Sequence, residues 1–270
     1  MATRLAAQGQ DVISLAVGQP SAQAPLPVRQ AAADAALSAN IGYTNALGRD
    51  DLRDAISKHY RAAYGLDVPS SRIAVTTGSS AAFSLAFLAT TEPGGRVAIT
   101  APGYPAYRNI LTALSLDCVE LEASDGGFDV AALEAAHCEK PIDVLLLASP
   151  ANPTGTVLAA DDLQTIIATC QDLGITFISD EIYHRLNHVG DDVCALRFSD
   201  DALVINSFSK FYCMTGWRIG WMILPESMVR TVERLAQSLY ICPPDISQLA
   251  AIKAFEADDE LNAIRDGYRQ

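Results

Sequence analysis

Positive charge is scarce in this chain: 32 aspartates and glutamates stand against only 19 lysines and arginines, a formal net charge of −13. Such a surface repels polyanions and argues against nucleic acid or anionic membranes as partners, since both need a basic face. Any phosphate the protein holds must therefore be held by a few local groups. Long apolar runs are also missing. Nowhere do the roughly 18 uninterrupted apolar residues of a membrane span occur, and the opening MATRLAAQGQ has neither the apolar stretch nor the cleavage pattern of a secretion signal. The six cysteines, at 118, 138, 170, 194, 213 and 242, form no CxxC and no paired spacing. They read as free thiols in a reducing compartment, and the expectation is a cytoplasmic protein.

What is present is a large apolar complement. Half of the 270 residues are hydrophobic, enough for one α/β domain, or one and a fraction. Residues 11–27 read as a short strand followed by an irregular, proline-bearing arm, and 28–37 as a helix. Leu52, Ala55, Ile56, His59, Tyr60 and Ala63 recur at helical spacing, with Asp50 or Asp51 as cap and Gly65 as stop. Strands at 143–148, 175–180, 203–207 and 219–224 alternate with helices at 161–173 and 225–240, the latter with Met228, Val232, Leu235 and Leu239 on one face. Without hairpin signals, this order predicts a mostly parallel, doubly wound sheet flanked by helices. No internal repeat or low-complexity linker interrupts it.

Lysine is rare enough for each of the four to be weighed. Lys58 lies on an amphipathic helix, Lys140 precedes a proline in a loop, and Lys253 belongs to a C-terminal helical run; all three read as solvated charges. Lys210 differs, because it directly follows the strand-like LVINS, at the position where an open α/β sheet presents its ligands. Flanking aromatics can desolvate its amine, and a lysine so placed can lose its proton near neutral pH and attack a carbonyl. Ser207, Ser209 and Arg218 add two hydroxyls and a planar fork suited to one phosphate. Taken alone, the segment is also compatible with a lysine and an arginine on an ordinary loop.

Other segments carry the same type of chemistry. In RIAVTTGSS a strand runs into a glycine and two serines at the start of an apolar helix, which presents free N–H groups and the positive end of the helix dipole; a serine-capped helix without a ligand explains it equally well. RVAITAPGYPAYRNIL is a strand, a Pro-Gly turn and two tyrosines, Tyr104 and Tyr107. The strand at 143–148 ends in SPANPTG, and Asp180 closes the next strand three residues before Tyr183. That last stretch also supports a rival, metal chemistry. Asp180, Glu181, His184, His188, Asp191 and Asp192 crowd together, with the two histidines at i, i+4. No HExxH glutamate lies between them, Asn187 and Gly190 weaken a helix there, and no cysteine joins in, so the histidines are read as ordinary loop residues and no metal is expected.

Together, SFSK, MTGWRIGW, SPANPTG and DEIY make the chain from about Ile13 onward resemble the class I/II pyridoxal-phosphate aminotransferases of the aspartate aminotransferase fold. The resemblance implies the large domain of that fold, with a seven-stranded type of sheet, over 43–270, and an N-terminal arm with part of a small domain over 1–42. It implies that Lys210 carries pyridoxal 5'-phosphate and moves the proton, that Asp180 binds the ring nitrogen, and that Tyr183 and Asn152 bind the phenolic oxygen. Tyr104 would stack on the ring. Ser79, Ser80, Ser207, Ser209 and Arg218 would anchor the phosphate, joined by Tyr43 reaching across a homodimer. Gly18, where a glycine for a simple turn is an equal explanation, and Asn152 would face the substrate. The function implied is amino transfer from an amino acid to a 2-oxo acid. The alternatives are β-elimination on the same cofactor, such as a carbon–sulfur β-lyase, and a non-catalytic cofactor-binding or interaction module. Two departures stand out: Ser80 replaces the lysine of some dicarboxylate-using relatives, and the C-terminal small domain with its carboxylate-binding arginine is expected to be absent from this chain.

Overall fold

The computed structural model describes residues 2–13, 18–123 and 127–269. The short strand expected within 11–27 falls on residues 14–17 and lies outside the described residues. Seven strands form one sheet: β1 (Ile73–Thr76), β2 (Arg96–Ala101), β3 (Asp117–Glu122), β4 (Val144–Ala148), β5 (Thr176–Asp180), β6 (Leu203–Ser207) and β7 (Gly220–Ile223), in the order β1-β7-β6-β5-β4-β2-β3. Pairing is parallel except around β7, which runs antiparallel to both β1 and β6.

Helices cover both faces, and the alternation of side chains along each strand supplies both cores. In β4, Leu145 and Leu147 join one apolar cluster while Val144 and Leu146 join the other. The first face is covered by α2 (Leu26–Ser38), α3 (Asp50–Tyr64), α6 (Val130–Glu139), α7 (Ala160–Leu173) and α9 (Asp245–Ile252). The second is covered by α4 (Ser79–Thr90), α5 (Pro105–Ala113) and α8 (Glu226–Tyr240). The remaining helices are α1 (Ala2–Ala7) and α10 (Asp258–Gly267).

Two local expectations are corrected. No side chain caps α3: Arg49 precedes it, and Asp50 and Asp51 occupy the first turn, where they offset the helix dipole. Gly65 ends the helix in the left-handed region, as expected. On α8 the buried positions are Val232 and Ala236, Met228 and Leu235 are partly buried against the second core, and Leu239 is exposed.

One buried polar contact ties the first core together. The Trp221 indole N–H donates to Tyr60 Oη at 3.2 Å, and neither side chain is exposed. Phe208 and Tyr212, both from the segment around Lys210, pack against the Trp221 ring. Removing the phenol oxygen leaves a buried donor unpaired, which costs about 1–3 kcal/mol. Urea unfolding of Tyr60→Phe is expected to register a loss of this size; a change below about 0.5 kcal/mol would show that the hydroxyl does not hold the indole.

Candidate active site

The reversal of β7 brings the site together. Thr76 at the end of β1 pairs with Gly220 at the start of β7, and Gly220 pairs on its other side with Ser207 at the end of β6. The segment before β7 therefore arrives at the carboxyl edge of the sheet, the same edge where β4 and β5 end, with Ala148 opposite Asp180. Arg218 is drawn to this edge although it precedes its strand. Lys210, Asp180, Asn152 and Gly78 reach it from strand ends.

Asp180 is buried. Its Oδ1 accepts from the Ile182 N–H at 3.0 Å, and its Oδ2 accepts a hydrogen bond from the Tyr107 hydroxyl. Burial raises its pKa to about 6, with the Glu181 charge adding to the rise, while the Tyr107 and Ile182 hydrogen bonds pull the other way. The group is thus ionised at neutral pH but only by a narrow margin. Tyr183, the residue after Ile182, accepts from Asn152 Nδ2 at 3.2 Å. Its phenol is raised by burial and by the Asp180 charge.

The Lys210 amine is half-buried. It donates to the Gly18 carbonyl at 2.6 Å and lies 5.7 Å from the centre of the Tyr183 ring. Desolvation lowers its pKa, Asp180 opposes that shift and Arg218 reinforces it. Lys58 is exposed, and Lys140 and Lys253 are engaged with Asp117 and Glu256 on the surface.

Opposite the lysine is an anion cradle. Gly78 (φ 80°) precedes α4, whose first-turn N–H groups at Ser79 and Ser80 have no intrahelical acceptor. A Cβ at Gly78 would lie 2.5 Å from Arg218 Nη2, so the guanidinium rests on the face that only glycine leaves open. Arg218 itself is left-handed (φ 52°) and is braced by a 3.0 Å bond from Nη1 to the Thr215 carbonyl. Ser207 Oγ and Ser209 Oγ lie 3.0 Å apart, and Ser207 Oγ also accepts from Ser209 N at 3.0 Å. The Ser207 hydroxyl thus holds the turn as well as facing the cradle region.

A cavity of about 830 Å³ opens beside these groups, lined by Gly18, Tyr104, Asn109, Asn152, Tyr183 and Leu186 among others. Tyr104 is 39% exposed and meets Tyr107 edge-on at 5.4 Å. Tyr43 is 84% exposed and makes no contact with the site within one chain. A Cβ at Gly18 would meet nothing within 4 Å, so what this position brings to the lysine is its carbonyl, not room. His184 lies in a turn, as expected, but is buried, 4% exposed: its Nδ1 lies 2.8 Å from Tyr64 Oη and 3.5 Å from Glu181 Oε2. Residues 182–190 form turns and bends, so the i, i+4 spacing stacks no pair of histidines. Among the described residues no three metal-ligating side chains converge.

Tyr107 is the site residue that sequence reasoning passed over. The signal was there: Pro105 starts α5 immediately after Tyr104, and a tyrosine three residues on shares its face. Because Asp180 keeps its proton to higher pH in the folded chain than in the unfolded one, its contribution to stability is full below about pH 4 and is lost as pH rises through 6. About two pH units correspond to about 3 kcal/mol. The stability of Asp180→Asn relative to wild type, without added ligand, is expected to rise by about this amount between pH 4 and 7. Tyr107→Phe, which removes a bond favouring the carboxylate, should move the Asp180 titration upward. A wild-type to Asp180→Asn difference that does not change with pH would overturn the assignment.

Residues 10–270 match the family model for aminotransferase class I and II. Among curated relatives, a valine–pyruvate aminotransferase of Mycobacterium tuberculosis is 45% identical over 260 residues, covering 95% of this chain and 66% of that protein. An arginine–pyruvate transaminase of Pseudomonas aeruginosa is 32% identical, covering 97% and 68%. Among solved structures, an aspartate aminotransferase of Thermus thermophilus with maleate superposes with a TM-score of 0.94 at 27% identity, covering 99% of this chain and 71% of that one. The chain thus spans about two thirds of the length of the curated relatives it matches. With the sheet, the site edge and these similarities in agreement, the chain belongs to the class I and II aminotransferases, a family dependent on pyridoxal phosphate.

Proposed function

We propose that this chain carries the cofactor machinery of an enzyme that transfers the amino group of an amino acid to a 2-oxo acid, using pyridoxal 5'-phosphate held on Lys210. The observation that carries the reading is the meeting, at one sheet edge, of a desolvated lysine amine, a buried carboxylate and an arginine-capped anion cradle. The residues fit the cofactor. The Arg218 guanidinium, seated on the face of Gly78 that a Cβ would fill, lies beside the start of α4, and the α4 N–H groups, Ser79, Ser80, Ser209, Ser207 and Arg218 would bind the phosphate. When bound, the cofactor supplies the electron sink for the substrate α-carbon.

Asp180, ionised at neutral pH, would keep the proton on the ring nitrogen. The low-dielectric setting that raises its pKa also strengthens that ion pair. Tyr183 and Asn152, already hydrogen-bonded to each other, would bind the phenolic oxygen. Tyr104, with one face toward the cavity, is the stacking candidate. Lys210, its amine held below the ordinary lysine range, can take and return a proton at the α-carbon. The Gly18 carbonyl orients that amine. Among the described residues the cavity lining contains no charged side chain, which supports a donor with a neutral side chain, as the name of the valine–pyruvate relative suggests for that protein. We further assign a homodimer to the cytoplasm, with the exposed Tyr43 contributed to the partner's phosphate.

Borohydride treatment after incubation with pyridoxal phosphate is expected to fix the cofactor to the peptide containing Lys210; an adduct on Lys58, Lys140 or Lys253 would sink the assignment. Single-turnover spectra with an amino donor provide the second check. Asp180→Ala should retain some cofactor while proton removal slows by about 10²-fold or more, and a near wild-type rate would count against the role given to Asp180.

A further inference from the structure

Arg185 lies two residues beyond Tyr183 and is not used by the chemistry above, yet it touches three separate segments. Its guanidinium carbon stands 3.9 Å above the centre of the Phe211 ring, and Phe211 is the residue after Lys210. Its Nη2 donates to Asp258 Oδ1 at 2.9 Å, in the first turn of α10. Its backbone N–H donates to Asp192 Oδ2 at 2.5 Å, and its φ is 70°, a left-handed conformation that an arginine adopts only when its surroundings demand it. The Arg185 side chain is 19% exposed, whereas its partner Asp258 is 55% exposed.

These contacts run parallel to those of the site. Tyr183 faces the Lys210 amine across 5.7 Å, and just beyond each of them Arg185 stacks on Phe211. Phe211 is buried and packs edge-on against Tyr212. Tyr212 in turn packs on Phe208 and Phe255. The Arg185 charge works against the burial that raises this phenol. No other described cation stacks on an aromatic ring of the lysine segment. A planar guanidinium can stack on a ring and bind a carboxylate at the same time, which an ammonium does poorly.

We propose that Arg185 is a positioning residue that sets the distance between Tyr183 and Lys210, clamping the Phe211 side of the lysine loop and anchoring the clamp to α10 through Asp258. The importance of that distance rests on the proposed role of Lys210, but the clamp itself can be tested without cofactor. Loosening the loop lets water reach the amine, so Lys210 should move back toward the ordinary lysine range. The other charged groups acting on the amine, Asp180 and Arg218, and the Gly18 carbonyl stay in place.

The test is competitive acylation of Lys210 across pH 7–11 in the cofactor-free chain, read by peptide mass spectrometry, together with amide exchange over residues 207–214. Arg185→Met is expected to raise the Lys210 titration midpoint by roughly half a pH unit or more and to speed exchange in the loop by about tenfold. Arg185→Lys should restore part of both. Phe211→Leu, which removes the other half of the stack, should shift both in the same direction and serves if Arg185→Met does not fold. Arg61→Met, which removes the exposed Arg61–Asp67 pair on α3, should shift neither. Wild-type acylation and exchange in both Arg185→Met and Phe211→Leu would overturn the proposal, as would an equal effect from Arg61→Met. Failure of the borohydride mapping would instead remove the cofactor role of Lys210 and leave the clamp standing.

Discussion

The close approach of three backbones around Gly220 is the constraint on which the site depends. A Cβ there would lie 2.9 Å from the Asn206 carbonyl and 3.2 Å from both Gly78 C and Ser79 N. Only a residue without a side chain lets β7 sit this tightly between β6 and the turn that opens α4. Because β7 runs against its neighbours, its first residues, not its last, meet the carboxyl ends of β1 and β6. Parallel α/β sheets place ligands at that edge through loops that follow strands. Here one antiparallel strand adds a loop that precedes its strand, and that loop carries Arg218. The anion cradle is therefore a product of topology, with Gly78 and Gly220 as the two places where backbone contact replaces side chain.

Charge placement follows from the same geometry. Asp180 and Glu181 are adjacent, both buried and both raised in pKa by burial. Two such carboxylates side by side would repel, but extended backbone sends them to opposite faces. Asp180 meets Tyr107 of α5, whereas Glu181 accepts from Ala195 N at 2.9 Å and Ser179 Oγ at 3.2 Å, near His184 and Tyr64. The sheet thus separates a carboxylate facing the cavity from one that stays inside the core. In a chain with net charge −13, a phosphate would be retained because Arg218 and the α4 amides act at short range, where the overall field is screened within about 8–10 Å.

What could be read from the sequence was what is local. LVINS followed by SFSK, the strand ending in SPANPTG and the Asp180–Tyr183 spacing each carry strand, turn and functional group within a few residues, and the structure brings all three to one edge. The sheet itself was legible because β4, β5 and β6 are apolar runs of the kind a two-sided core requires. The direction of β7 was not, since residues 219–224 read as apolar as any parallel strand. The clue was the link 208–219, which lacks the crossover helix that a parallel connection needs. Gly18 to Lys210 and Arg185 to Phe211 are pairings across 192 and 26 positions that no period or spacing encodes. Leu239 shows the converse, a residue in the expected helical phase that is exposed.

Strain is concentrated where chemistry is proposed. Among the described residues, three of the five non-glycine residues with positive φ, Arg185, Cys213 and Arg218, lie in the two loops that carry Tyr183 and Lys210. Each costs about 1–2 kcal/mol relative to an ordinary conformation, so these loops would relax unless their surroundings over-determine them. The surroundings are the aromatic cluster of Phe208, Tyr212, Trp221 and Phe255, whose rings meet at 4.8 to 6.5 Å. Each such pair adds about 0.5–1.5 kcal/mol beyond the area it buries, comparable with the strain it opposes. Phe208 and Tyr212 bracket Lys210 in sequence, so the residues that stabilise this core are the same ones that fix the lysine.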